Sequence, residues 1–388
     1  MTSLRGQVAI VGAADTRVGK VPELSATQLC VDAALRALAD AGIAKDQVDG
    51  LITCNSMAEP HMYHAEMIAE YLQIFPRLCM TAAAGGGTAF AVLQHAAAAI
   101  VTGVCNTVVI SMADSLRTGL TREQAMVIQS SAGHKQFEIP FGPTVPAFYA
   151  LIAQAHMATY GTTPEQLAAV AVACRKHAGR NPTAQMRDPI SVDDVLESRL
   201  IADPLHLLDC SLVSDGGSAI VLTRADRAAD FPHDPVYLLG VGEGHGHEHI
   251  SQARSLTTSA AVDAGRRAYA MAGVGPGDID VAGIYDCFTP VVLVELEDLG
   301  FCNKGEAGAF VADGGLDLGG ALPTNTHGGL LSHCHPGNPG SMYHLTECVT
   351  QLRRQAGDRQ VADAEVALVH AQGGVMSSHC TLILGRET

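Results

Sequence analysis

The sequence predicts an α/β fold, a layered sandwich of two duplicated halves with a loop domain inserted between them. Three observations carry this expectation. Strand-like apolar runs alternate with helical periodicity, which favours mostly parallel sheets covered by helices. The same order of elements occurs twice along the chain, and residues 115–207 interrupt that order once.

In chain order, "QVAIVGAADT" (7–16) reads as a buried strand, and "ATQLCVDAALRALADAGI" (26–43) as a helix stopped by Gly42. The second half repeats this: "PVYLLGVGEG" (235–244) precedes "TTSAAVDAGRRAYAMAGV" (257–274). At a constant offset of 231, Val31, Asp32, Ala33, Arg36, Ala37, Ala41, Gly42 and Asp49 recur as Val262, Asp263, Ala264, Arg267, Ala268, Ala272, Gly273 and Asp280. That is an internal duplication. It continues with a helix over Ala89–Ile100 leading to the strand "NTVVISM" (106–112), matched by a helix over Tyr343–Arg354 leading to "EVALVHA" (365–371). The domains are therefore placed at 1–114, completed by 208–228, then 115–207 for the loop domain, and 235–388 for the second half. "LVSDGGSAIVLT" (212–223) closes the first half, with Asp215 as a structural turn residue.

Composition excludes several classes of function. A chain of 388 residues that is 47% hydrophobic can bury a large core. With 24 Lys and Arg against 40 Asp and Glu, and a net charge of -16, it lacks the clustered cations that a nucleic acid needs. "MTSLRGQVAIVGAADT" has no signal-peptide core, and no apolar run reaches a membrane-spanning length, so a soluble, cytoplasmic protein without a membrane span is expected. Eleven scattered cysteines without a CxxC pair indicate neither a disulfide framework nor a zinc ribbon. No P-loop and no GxGxxG after the first strand support a nucleotide redox cofactor.

Two helices, one per half, start at glycine-rich turns: Gly85, Gly86 and Gly87 in the first, Gly337 and Gly340 in the second. Glycine lets a ligand approach the backbone, and N–H groups at a helix start favour developing negative charge. Either turn alone could equally be a tight helix start. Reactive side chains gather in "GIYDCFTP" (283–290), with Tyr285, Asp286 and Cys287, and in "NTHGGLLSHCHPGNPGSMYHL" (325–345). The latter holds His327, His333, Cys334, His335, Tyr343 and His344, of which His335, beside Pro336 and the second turn, is the strongest candidate. Gly373 and Gly374 in "VHAQGGVMSSHC" could supply oxyanion-binding N–H groups. His245, His247 and His249 alternate in "GVGEGHGHEHI", but no Cys or Asp completes a set among these glycines, and no metal is expected.

"VAIVGAADT", "RKHAGRNPTAQMRDPIS", "LLDCSLVSDGGSAIVL", "YDCF", "HGGLLSHCHPGNPG" and "HAQGGVMSSHCTLIL" together make the chain resemble the thiolase superfamily over essentially its full length. The resemblance is to the branch of sterol-carrier-protein-type thiolases and lipid-transfer-like proteins. It implies a thiolase-like αβαβα sandwich and an acyl-CoA substrate, with coenzyme A entering only as part of that substrate. It also implies a homodimer and a separate small partner with a zinc ribbon and an OB-fold. Cys287 matches the cysteine of the family's HDCF segment, where Tyr285 replaces the histidine, and His335 matches the GHP histidine that helps bind the thioester oxygen. The family's acylated cysteine falls at Ala83, and a methyl group cannot form an acyl-enzyme.

The resemblance thus points to non-covalent retro-aldol cleavage of a bulky 3-hydroxyacyl-CoA, as in the steroid side-chain aldolases of the superfamily, whose "YD" tyrosine matches Tyr285. Tyr285 or Cys287 would transfer the proton. His335, with backbone N–H groups near Ala83 and Gly373, would hold the oxyanion, and Tyr343 is a nearby second phenol. Arg175, Lys176 and Arg180 could meet the coenzyme A phosphates, or be solvated helix charges. Two alternatives stand beside this reading: a thiolase or acetyl-CoA acyltransferase acylated on Cys79 or Cys287, and a non-catalytic lipid- or acyl-CoA-binding subunit.

Overall fold

The computed structural model describes residues 4–388. Its strands are β1 (Val8–Asp15), β2 (Gly50–Cys54), β3 (Leu78–Ala82), β4 (Thr107–Ser115), β5 (Leu200–Ala202), β6 (Leu205–His206), β7 (Asp215–Arg224), β8 (Val236–His245), β9 (Val281–Ile284), β10 (Val366–Gly373) and β11 (Ser378–Gly385). Its α-helices are α1 (Ala26–Ala41), α2 (His64–Leu72), α3 (Thr88–Val101), α4 (Arg122–Ser130), α5 (Val145–Tyr160), α6 (Pro164–Gly179), α7 (Val192–Glu197), α8 (Ala261–Ala272), α9 (Thr289–Asp298), α10 (Ala307–Ala312) and α11 (Gly340–Leu352).

The duplication is visible in packing as well as in order. Helix α1 opens on a capping box between Ser25 and Gln28 and ends at Gly42 with φ 65°, while α8 ends at Gly273 with φ 72°, the residue 231 positions later. In each half a strand glycine lies beneath the helix. A Cβ on Gly12 would fall 2.3 Å from the Ala37 carbonyl oxygen, and one on Gly240 would fall 2.2 Å from that of Ala268, the duplicated alanine. The alanine-rich inner faces of both helices exist because the backbones approach this closely.

Nine strands form one sheet in the order β3-β2-β4-β7-β1-β8-β11-β10-β9. Each half runs from its first strand, β1 or β8, to its last, β7 or β11, and then outward. The halves meet where β1 pairs with β8 over Ala9–Tyr237 and Ile10–Val236. The sheet is mixed where the sequence suggested mostly parallel pairing. Strand β7 runs antiparallel to β1 and β4, and β11 runs antiparallel to β10 and β8. For β11 the reason lies in the connection: it follows β10 through a short turn, with no room for the crossover that a parallel neighbour requires, whereas β7 comes back beside β4 after the insertion.

Helices α1 and α2 cover the outer face of the first half-sheet and α8 that of the second, while α3 and α11 touch each other and strands of both halves. Two cores result: one beneath α1 and α2, and a larger one that runs through α3, α11, α9 and the insertion helices α5 and α6. The segment between β4 and β7 carries α4 to α7 and the β5–β6 pair. Helix α4 has no buried residue. Among the described residues no helix is long and apolar enough to cross a membrane.

Candidate active site

After β9 the chain stays extended, and alternation of side chains across an extended backbone sorts Tyr285-Asp286-Cys287 onto two sides. Asp286 points inward. Its carboxylate accepts hydrogen bonds from the Leu330 N–H at 2.8 Å and the Leu331 N–H at 3.2 Å, anchoring the π-helical turn Gly329–His333. Burial raises its pKa to about 6. Tyr285 and Cys287 emerge on the other side, both buried.

The Tyr285 hydroxyl lies 3.1 Å from His335 Nε2, with the two rings edge to face at 6.0 Å. On the far side of the imidazole, Nδ1 lies 2.9 Å from Ser211 Oγ. The segment carrying Ser211 is laced into place by main-chain bonds, from Ser211 N–H to the Cys287 carbonyl and from Ser214 N–H to the His335 carbonyl. Burial lowers the His335 pKa to about 4, so the ring is neutral at neutral pH. A neutral imidazole between two hydroxyls has one nitrogen free to accept a proton.

The turn Ala83–Gly87 faces this pair. A Cβ on Gly86 would fall 2.4 Å from Tyr285 Cζ and Oη, and one on Gly340, at the head of α11, would fall 2.8 Å from His335 Cδ2. The glycines of the two turns therefore give the two rings their room, and the turns do come together. Backbone meets backbone as well: a Cβ on Gly373 would fall 1.9 Å from the Ala84 carbonyl oxygen. Ala83 itself is exposed. The Ala84 N–H donates to Thr88 Oγ1 at 2.8 Å, whose hydroxyl donates to the Gly85 carbonyl at 2.6 Å. That one amide is therefore used within the turn.

No thiol is tuned to attack. All eleven cysteines are free, and burial pushes the pKa of every one upward. Cys79 is raised to about 11 and packs against the core under α1 and α2, whereas its neighbours Leu78 and Met80 face the core of α3. Cys287 receives a hydrogen bond from Gln372 Nε2 at 3.3 Å and is held in its protonated form chiefly by burial.

Tyr149 was not singled out by sequence. From α5 it stacks on Phe288 at 4.4 Å, donates to the Gly374 carbonyl at 2.9 Å, and accepts from Gln372 at 2.6 Å. It lay within an apolar insertion segment with no pattern to distinguish it. Ser211 lay in the "LLDCSLVSDGG" stretch and carried no signal beyond its small hydroxyl.

Other expected residues lie elsewhere. The Tyr343 hydroxyl donates to the Gly217 carbonyl at 3.0 Å and the ring packs on His333, so it fastens α11 to β7 and does not join the Tyr285–His335 pair. Arg175 is buried, with Nε bonded to Ser332 Oγ at 2.9 Å and a further bond to the Asp188 carbonyl. It locks α6 to the π-helical turn and is not free to meet a phosphate. Lys176 pairs with Asp317 at 2.9 Å, and Arg180 shares with Lys176, Asp313 and Asp317 a basin that contains no residue of the site. Asp215 accepts from the N–H groups of Val21, Arg117 and Thr118, the structural role expected of it. A cleft of about 330 Å³ opens beyond the residues that follow Gly374. It runs from Ile152 of α5 past Val375 and Met376 to His245, His247, Ser255 and Arg254.

Behind Tyr285, His344 is fully buried beside Asp286 and His327, and burial lowers its pKa to about 3. The folded chain refuses a proton that the unfolded chain takes up below about pH 6.5, so this group costs stability as pH falls through that window. Asp286 works in the opposite sense, losing stability as pH rises toward 6. Other buried groups, Asp286 among them, also titrate between pH 7 and pH 5, so the imidazole is read from the difference between variant and wild type in chemical denaturation at those two pH values. His344→Leu should lose about 2 kcal/mol less than wild type across that interval, and equal losses would contradict the assignment.

Comparison with known proteins identifies the family. The model of the thiolase N-terminal domain matches residues 8–226, and that of the thiolase C-terminal domain-like family matches residues 242–386. A steroid side-chain-cleaving aldolase of Thermomonospora curvata is 39% identical over 403 residues, covering all of both chains. An acetyl-CoA acetyltransferase of Methanothermobacter thermautotrophicus is 34% identical over 388 residues, covering 98% of this chain and 99% of the relative. Among solved structures, an Ltp2-ChsH2(DUF35) aldolase superposes with a TM-score of 0.87 at 37% identity, covering 98% of each chain.

Proposed function

Because the chain belongs to the thiolase superfamily of enzymes, and its site pairs a phenol with a neutral imidazole over a turn without a thiol, we propose that it is an acyl-CoA carbon–carbon lyase. The reaction is the retro-aldol cleavage of a bulky 3-hydroxyacyl-CoA, of the steroid side-chain type named for its aldolase relative. The observation that carries this reading is the Tyr285–His335 contact at 3.1 Å facing Gly86. An aldolase and an acetyltransferase are both relatives, and the absence of an activated cysteine favours the former.

The thioester oxygen binds beside Gly373 and Gly374, where N–H groups meet the charge that develops on it. Tyr285 accepts the proton of the substrate 3-hydroxyl as its own phenolic proton passes to His335 Nε2, while His335 Nδ1–H donates to Ser211. The Cα–Cβ bond breaks, its electrons form the thioester enolate, and the 3-carbon leaves as a carbonyl. Cys287, held as a neutral thiol by burial, gives its proton to the enolate carbon, and the proton left on His335 then reprotonates the resulting thiolate, returning Cys287 to the thiol. His335 therefore serves the proton relay instead of the oxyanion, because Nε2 faces the tyrosine.

The cleft beside Val375 and Arg254 suits the coenzyme A arm, with Tyr149 and the apolar insertion around the acyl group. The aldolase of known structure contains a DUF35 component, and the same kind of small partner is proposed here. A homodimer is supported by β3, which ends the sheet with one edge unpaired in a single chain.

Incubation with a bulky 3-hydroxyacyl-CoA should release a carbonyl compound and a shortened acyl-CoA, with no acyl adduct in the intact-mass spectrum. An adduct on Cys79 or Cys287 that is chased by free coenzyme A would overturn the lyase in favour of acyl transfer.

A further inference from the structure

The seventh residue of α9, Glu295, is fully buried and neither carboxylate oxygen has a hydrogen-bond partner. An ionised carboxylate in that state is among the costliest groups a protein can bury. Two imidazoles face it from the neighbouring strands: His370 Nε2 of β10 at 3.7 Å and His379 Nδ1 of β11 at 4.0 Å, with the two nitrogens 3.1 Å apart. The donor atoms of all three lie within 4.8 Å of one another.

The remaining nitrogens explain the orientation. His379 Nε2 lies 3.1 Å from the Met376 carbonyl oxygen, which can only accept, so the proton of a neutral ring sits there and Nδ1 presents a lone pair. His370 Nδ1 lies 2.8 Å from Thr381 Oγ1, which can accept the ring proton and leave the Nε2 lone pair facing Glu295. Metal-bound histidines are held in this way, with the non-ligating nitrogen donating to a carbonyl or another polar group. Zinc with bonds of 2.0–2.1 Å in a tetrahedron separates its ligands by about 3.3 Å, a spacing the three donors already bracket.

We infer that Glu295, His370 and His379 form a buried site for a divalent first-row transition ion, with zinc as the best match to two imidazoles, one carboxylate and this spacing. The ion joins α9, β10 and β11, and gives Glu295 the partner it otherwise lacks. These are not the histidines that alternate in the sequence. His247 bonds to the Val375 carbonyl and His245 lies on the exposed end of β8, whereas His370 and His379 are cross-strand neighbours brought together by the β10–β11 hairpin.

The test uses the full chain purified without any partner protein, so that no other zinc module contributes. After exhaustive desalting, elemental analysis should find close to one equivalent of metal. Chelator-treated protein should take up Co²⁺ with the visible ligand-field bands of a four-coordinate site. Glu295→Gln should abolish the stoichiometric metal. Thr381→Ala, which alters only the group behind His370, should weaken Co²⁺ binding about 10- to 100-fold and so serves if Glu295→Gln fails to fold. Wild-type protein that carries well under one equivalent and gains no bands with Co²⁺ overturns the site. So does Co²⁺ binding that both variants leave unchanged.

Discussion

Tyr285→Phe should lower kcat for cleavage about 10³-fold while leaving KM within a few-fold. Among the described residues the phenol is the hydroxyl placed against His335 Nε2, and it must both receive the substrate proton and pass on its own. General acid–base groups of this kind contribute about 10²- to 10⁴-fold. Phenylalanine fills the same space over Gly86, so the acyl-CoA keeps its contacts, and the loss belongs to the transition state alone. Steady-state kinetics together with acyl-CoA binding by calorimetry separate the two quantities. Full activity in the variant would remove Tyr285 from the mechanism, whereas an equal collapse of binding would make it a packing residue.

Gly86→Ala and Gly87→Ala should differ sharply although they are neighbours. The methyl at 86 would fall 2.4 Å from the Tyr285 ring and 2.5 Å from the Gln372 carbonyl oxygen. Overpacking of this kind costs roughly 1–3 kcal/mol, and a shift of about 1 Å in a positioned group costs about 10²-fold in rate. The methyl at 87 meets nothing closer than 3.5 Å, on a backbone with φ -76°. There it should leave activity unchanged and raise stability by about 0.5 kcal/mol through the unfolded chain. Thermal melts and kcat for the pair check both halves of this expectation. Equal behaviour would mean that the turn does not hold the tyrosine.

Much of the architecture was legible because it was written twice. The offset of 231 picked out α1 and α8, and the capping glycines 42 and 273 fall where it placed them. The turns at Gly86 and Gly340 were readable from glycine density, and Tyr285, Cys287 and His335 from their motifs. Strand direction was not readable, since an apolar run such as that of β7 has the same pattern in either sense. Arg175 was misread because its partners, Ser332 and the Asp188 carbonyl, are contributed by tertiary contacts. Glu295 sits within an otherwise helical apolar run, and its imidazole neighbours lie 75 and 84 residues further along the chain. No local pattern links them.

The turn at Ala83–Gly87 has one more consequence. The duplicated halves have divided their labour: the C-terminal copy supplies Tyr285, Cys287 and His335, while the N-terminal copy supplies a mould of backbone against which they close. Substitutions in the two copies therefore fail differently. Those in the C-terminal copy delete a chemical step from an intact pocket, and those in the N-terminal turn leave every reactive group present but out of register.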